Sequence, residues 1–517
     1  DENSAFMCYS KPLQFDNDSI NEASSYAGDQ SKMLLKTHVS LPKGLSINAL
    51  CEKDKGEQIA VNNTKKGFDF YSANMYYEGT KMVKKVVIGD FTAHFGQGLV
   101  LWTGYSFSGG PLSVKKKGNG IRPKTGTDEN MFLRGIGVTT GGKRCVADLF
   151  YSYHKIDASL SDSLTVSSIQ TSGYHRTESE LRNKHALGMH SVGGHVSFRG
   201  SRLKVGVSHV SHSFDKLIQP RVEPYTVNQF CGRYMNMTGV DYFLNRQSFD
   251  MFGECAVDEH LDIATIHGIS FGVVDGINAV ASVRHLSPGY NTFLNTSFSS
   301  TGKPSNEQGV TLAFEYRPDT SVVVVPSIDA FRHMRPTYST ISPWSGTTYS
   351  ITVNKVLSAT STFSCLYSYS KSEKNDPLSE RPIKNVIVVQ SHVVKMMLAN
   401  QMNDKLKFKN QVQLQNINSS PEKLPFLISQ DVEYKTKRWQ LLARYVFYDA
   451  GSEIRFSMYE KGLGTGTFAQ LTQDGYKWLV LTTLNVAKHM KLSAKISCLN
   501  RSNSKVYDCV VSANVVF

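Results

Sequence analysis

Lys405, Lys407 and Lys409 recur at every second position, and Gln411, Gln413 and Gln415 continue the series. Residues two apart share one face of a strand, so this spacing makes a ladder of ammoniums and amides on one side. Leu406, Phe408, Val412 and Leu414 fall on the other side. Lys491 and Lys495 repeat the arrangement against Leu492, Ala494, Ile496 and Cys498. A third basic group, Lys115-Lys116-Lys117 with Arg122 and Lys124, sits in a long polar stretch. Rows of cations attract polyanions, nucleic acid included, and the whole chain carries a net charge of +13. Plainer readings compete: a solvated basic surface, adhesion to anionic headgroups, or the ordinary charge of a porin interior. For Lys115 to Lys117 the choice lies between lipopolysaccharide phosphates, nucleic acid and a simply solvated loop.

Other groupings point away from catalysis. Glu52-Lys53-Asp54-Lys55-Gly56-Glu57 offers paired carboxylates, but at a strand end a solvated or salt-bridged loop is the simpler expectation. His175-Arg176-Thr177-Glu178-Ser179-Glu180 combines a base, a cation and carboxylates with no nucleophile fixed nearby, and reads as a structural cluster. Histidines 185, 190, 195, 209 and 212 are scattered in parity and suggest no metal. Gly96-Gln97-Gly98 is half of a dinucleotide fingerprint without its third glycine or a following helix. Its glycines mark a close backbone approach or a strand bend. The eight cysteines form no CxxC pair. Cys255, Cys365, Cys498 and Cys509 share parity with apolar neighbours and read as small outward hydrophobes. The sequence therefore predicts no enzyme and no cofactor.

The elements that carry these residues are strands. From Tyr507 to Phe517 every odd position is apolar, while Asp508, Ser512 and Asn514 are even. The same two-residue period runs from about Lys32 to the end. One apolar and one polar face per strand fits a soluble sheet with a wet side or a membrane barrel with a polar interior. An open sheet of this size would curl or split beyond roughly ten strands, whereas closure removes its edges. The 24 Tyr, 27 Phe and 39 Gly suit aromatic girdles and glycine-rich turns. A mean hydropathy of −0.28 is compatible with strands that face water on one side. Tight turns at 41–44, 78–80, 141–142, 199–201, 318–320 and 487–488 alternate with long connections. These lie near 103–130, 158–184, 213–238, 287–307, 372–383 and 460–475. Short turns on one side and long loops on the other are the outer-membrane habit. The expectation is an all-β, antiparallel transmembrane barrel of roughly 18 to 24 strands over residues 32–517, a count the strand pattern sets only loosely. Residues 1–31 lack periodicity and read as an irregular lead-in. Asp1 opens no signal peptide, which implies a processed or truncated form.

Several stretches, in this order, resemble one family. They are EKDKGE (52–57), GFDFYS (67–72), GDFTAHFGQGLVLWTGYSF (89–107), FLRG (132–135), LFYSYHKIDA (149–158) and GYHRTESEL (173–181). GVDYF (239–243), FGECA (252–256), RHLSPGY (284–290), NEQG (306–309) and MYEKGLGTG (458–466) follow. Together they are similar to Bacteroidetes outer-membrane β-barrels associated with periplasmic helix-hairpin-helix domains of the competence, DNA-binding type. The resemblance covers the barrel portion and implies a helix-hairpin-helix segment before Asp1. Residues 1–31 contain no glycine-rich hairpin between short helices. Gly475-Tyr476-Lys477 also stands where the family pattern has Gly-x-Arg-Tyr, so Lys477 would supply the inward charge.

The function expected is a bacterial outer-membrane conduit with a basic lumen for DNA or another polyanion. Its candidate contacts are Lys405, Lys407, Lys409, Lys491, Lys495, Lys115, Lys116 and Lys117. The alternative is a plugged barrel serving as scaffold or subunit of an envelope complex. Implied partners are outer-membrane lipid and lipopolysaccharide, DNA, and lipoprotein or other envelope subunits.

Overall fold

A computed structural model describes residues 3–14, 26–59, 67–104, 111–274, 276–379, 384–417, 423–451, 454–464, 466–501 and 504–517. Twenty-four antiparallel strands form one closed barrel, and three short strands are appended to it (Gly120–Pro123, Ala158–Leu160 and Thr165–Ile169). The first strand, Ser4–Gln14, pairs along its length with the last, Ser504–Val516, from Ser4 opposite Val516 to Gln14 opposite Val506. That pairing leaves no open edge. It also corrects the lead-in expected over residues 1–31: Ser4–Gln14 belongs to the wall. Here the inward positions, Phe6 and Cys8 among them, are partly apolar, so both faces look alike and the period disappears. Residues 1–2 and 15–25 of that lead-in lie outside the described residues, as do Tyr105 to Phe107 of the 89–107 motif.

Alternation sets the two faces of the wall. In Cys145–Ile156, Asp148, Phe150, Ser152 and His154 are buried inside, while Leu149, Tyr151 and Tyr153 are exposed outside. The outward set continues around the barrel through Val192, Val207, Val240, Val283, Val310, Ile351, Ile428, Val480 and Val511. Tyr77, Phe198, Tyr316, Tyr434, Trp439 and Phe517 ring the end that bears the short turns. An apolar band edged by aromatics is the surface a hydrocarbon core requires. Both described chain ends lie on the short-turn side, where the Phe517 amide donates to the Asn3 carbonyl at 2.9 Å. Short turns mark the periplasmic side and long loops the exterior. The molecule is an outer-membrane barrel.

Candidate conduit and its internal plug

Among the described residues, three connections from the long-loop side fold into the lumen. The largest begins in the wall strand Val83–His94. At Gly89 the backbone takes φ +102°, and a Cβ there would lie 2.3 Å from the Ala73 carbonyl oxygen. Only glycine fits, and beyond it the strand leaves the wall. Phe91 to His94 then pair with Gly120–Pro123 inside the barrel, and the chain rejoins the wall at Leu133–Gly141. Phe95, Leu99, Val100 and Leu101 are buried against inward residues of distant strands, including Val210, Met237, Ala256 and Ile266.

The Gly96-Gln97-Gly98 segment anchors this insert. Gly96 and Gly98 adopt φ +51° and +88°, which turns successive amides toward the wall carboxylate of Glu254. That carboxylate accepts from the amides of Gln97 at 2.5 Å, Leu99 at 3.1 Å and Val100 at 3.3 Å. The fragment resembling a phosphate-binding fingerprint is thus a nest of N–H donors that holds a carboxylate of its own chain.

The second connection, residues 287–306, covers the first. The Tyr290 hydroxyl donates to the Leu99 carbonyl at 3.1 Å, and the Trp102 amide donates to Leu294 at 3.0 Å. Its base is pinned by buried Arg284, which pairs with Glu307 at 2.5 Å and Asp329 at 2.8 Å. The third is a hairpin of Arg455–Glu460 and Thr467–Thr472, whose Phe456, Met458 and Leu471 bury against Leu427, Val446 and Tyr448. Glu460 bridges Lys477 at 2.5 Å and also pairs with Lys495. Lys477 therefore points inward, although its partner is a carboxylate of the same chain.

These inserts fill one side of the lumen. On the filled side the inward Ser152, Ser191 and His212 are completely buried. On the opposite arc, from Val322 to Ile417, the inward Ser327, Ser350, Ser368, Ser391 and Gln415 stay half-exposed, while Gln411 and Gln413 at its edge are buried. A hydroxyl- and amide-lined wall thus remains open beside the plug.

The expected cations do not form one group. Lys407 and Lys409 face this open arc near its short-turn end, and Lys405 lies in the adjoining turn. The register sets Lys407 opposite Glu433 and Lys409 opposite Asp431, so carboxylates stand beside the ladder. Lys491 is exposed at the short-turn rim, whereas Lys495 is buried against Glu460. Lys115 to Lys117, expected among external loops, lie inside the barrel at its short-turn mouth. Lys115 pairs with Asp250 at 3.2 Å and sits 3.7 Å over the Phe243 ring. Lys116 stacks 4.5 Å over Trp102 and donates to the Thr296 carbonyl. The signal missed is the apolar run Phe95 to Trp102, too hydrophobic for a solvated loop. Lys85, Arg199 and Lys204 join them around one cavity of about 440 Å³. Sequence reading overlooked these three because they lie far apart, at the ends of separate strands.

The two charged motifs meet at the opposite, outer rim. His175 donates to Asp69 at 2.5 Å and to Asp157 at 3.0 Å, and its amide donates to Glu57 at 3.0 Å. Lys184 pairs with Asp69 at 2.7 Å, and Lys53 pairs with Asp29 at 2.7 Å. Burial alone would lower the His175 pKa, but its bonds to Asp157 and Asp69 prevail and raise it to about 9. Burial, then the charge of Glu57, pushes Glu129 up to about 9. Ligand atoms of Glu57, Asp69 and His175 lie within 4.8 Å of one another, a spacing that can hold a metal ion. Both His175 nitrogens already serve as donors, however, and Lys184 adds further positive charge. This is an ion-paired clasp joining the outer loops, as the strand-end position of Glu52 to Glu57 suggested. All eight cysteines are free thiols.

No family model matches the chain, and no curated protein matches its sequence. Among solved structures it is similar to the siderophore receptor PirA from Pseudomonas aeruginosa, with 7% identity over 100% of this chain and 81% of that one, at a TM-score of 0.49. PirA from Acinetobacter baumannii gives 7% over 100% and 80% at 0.46. The FrpB iron transporter from Neisseria meningitidis gives 7% over 100% and 82% at 0.46. Likeness at this level says nothing about cargo.

Proposed function

We propose that this barrel is a transport conduit, not an enzyme, and that it passes hydrophilic anionic cargo along the open side of its lumen. The observation that carries this reading is the half-exposed arc of Ser, Thr and Gln beside an insert that fills only the other half. Hydroxyl and amide walls hydrate a passing solute without trapping it, while a few cations bias the path toward anions. DNA is the polyanion of choice because of the motif resemblance to barrels that accompany helix-hairpin-helix domains. Such domains grip phosphate backbones without reading sequence.

A specific observation favours the second reading, a scaffold in an envelope complex. The insert is covalently joined to wall strands at both ends and packs against the inner wall through one continuous apolar cluster, as a permanent part of the barrel. Planar-bilayer conductance separates the two. A conduit carries steady current that short duplex DNA interrupts, and changing Lys405, Lys407 and Lys409 to Gln shifts selectivity away from anions. A silent barrel that co-purifies with stable partners would overturn the conduit.

A further inference from the structure

We propose that the short-turn mouth of the plugged side is a binding vestibule for phosphate groups, built from Lys85, Lys115, Lys116, Lys117, Arg199 and Lys204. The site rests on its own geometry, and it deepens the conduit reading by placing anion capture on the periplasmic face. The six cations come from four separate segments: the wall strand Val83–His94, the tip of the lumen insert, the end of Leu187–Arg199 and the start of Leu203–Ile218. They converge on a cavity of about 440 Å³, the size of a small-ligand site.

Of three carboxylates in and around the cavity, one is paired with a lysine and two are held by hydrogen bonds, and the cations outnumber them. Asp250 pairs with Lys115 at 3.2 Å. Asp148 accepts from the Thr139 hydroxyl at 2.5 Å, and Asp241 bonds His195 at 2.8 Å. Among the described residues, Lys85, Lys117, Arg199 and Lys204 have no carboxylate within ion-pair distance. Lys85 reaches only the Asn119 carbonyl, at 3.4 Å. Two further ammoniums are held in place by the Phe243 and Trp102 rings beneath them. Unpaired like charges around a concave site repel one another, and an anion with several oxygens relieves that repulsion. A guanidinium fork amid flexible ammoniums suits phosphate oxygens better than a single carboxylate.

The same chemistry is offered by free polyphosphate and by a nucleic-acid backbone. The test therefore uses inorganic tripolyphosphate and a short labelled single strand on the full chain in detergent. Calorimetry and anisotropy should both show saturable, salt-sensitive binding. Arg199→Gln with Lys204→Gln, at two strand ends on the rim, should weaken it about tenfold, the equivalent of 1.4 kcal/mol. For the single strand, losing two phosphate contacts should also flatten the salt slope by about 1.4, at roughly 0.7 per phosphate. Lys117→Gln, on the exposed tip of the insert, is the second variant and should weaken binding in the same direction. Tripolyphosphate binding without strand binding still supports the vestibule and limits its ligand to compact phosphates. Unchanged affinity and slope in both variants overturns it, as does an equal loss in Lys437→Gln with Arg438→Gln, exposed in another short turn, which would mean diffuse charge attraction. If duplex DNA blocks current while the vestibule variants bind normally, the conduit stands and the vestibule falls. Vestibule binding in a silent barrel gives the converse.

Discussion

Glu254 shows how much of the interior depends on single side chains. Its carboxylate receives three amides from the insert, four residues along the strand from Asp250, which holds Lys115 of the same insert at 3.2 Å. Glu254→Gln replaces one acceptor oxygen with an NH₂ that faces an amide donor. Hydrogen bonds to a charged group are worth about 1.5–3 kcal/mol each, so residues 95–102 should lose hydrogen-exchange protection while the wall keeps its own. Unchanged protection would mean that apolar packing alone holds the insert. At the outer rim the relevant variable is pH. The folded His175 pKa, about 9, lies above its ordinary value of 6.5. Its stabilising contribution is therefore complete below pH 6.5 and lost as pH rises through 9. Glu129, neutral in the fold up to about pH 9 against an ordinary 4.5, acts in the same sense over that range. Protection of residues 170–185, corrected for intrinsic exchange, should fall between pH 6.5 and 9.5. His175→Asn should flatten that fall. An equal decline in the variant would remove His175 from the clasp.

At the scale of elements, the hairpin Arg455–Thr472 is the most exposed to a single change. Glu460 is its sole carboxylate contact with the wall lysines among the described residues, and it serves both Lys477 and Lys495. Glu460→Gln leaves the buried Lys495 ammonium and the partly buried one of Lys477 without this counter-charge, a loss of about 3 kcal/mol. The hairpin should then undock, and trypsin should cut at Lys461 in the folded barrel. Resistance equal to that of the parent chain would show that Phe456, Met458 and Leu471 suffice. Wall strands such as Leu406–Ile417 were legible in sequence because one face meets lipid and the other water, which imposes a strict period. The inserts were not. Phe95 to Trp102 is apolar on every side because it is surrounded by protein, and Ser4–Gln14 faces other side chains inside the barrel as well as lipid outside. Partners such as Glu57 with His175, or Glu254 with Gln97, lie more than a hundred residues apart. No local pattern can encode such a pairing, although Glu57 and His175 stood out within charged runs and Gln97 and Glu254 as polar residues among apolar and glycine neighbours.

At the scale of the whole molecule, the decisive property is how a barrel of this circumference is filled. Barrels of 16 to 18 strands leave an aqueous channel, and barrels of about 22 are plugged. This one has 24 strands, and its insert is a detour of the wall itself, leaving at Gly89 and returning at Leu133. Tethered at both ends and packed against one side of the wall, it stays in place and leaves the other side unfilled. The open arc should therefore be wet at rest. Single cysteines at Ser350, Ser368 and Gln415, in a background with Cys145 and Cys231 changed to Ser, test this directly. A charged, membrane-impermeant maleimide should modify all three, and each adduct should reduce conductance. Cysteines placed at the outward neighbours Tyr349 and Tyr367 should resist the reagent in bilayers, as native Cys365 should. Labelling at both sets would mean that the wall is permeable or unfolded. Labelling at neither would mean that the lumen closes completely in the membrane, which favours the scaffold. Modification confined to the inward set, with graded loss of current, is the result that only a standing aqueous path beside a fixed plug produces.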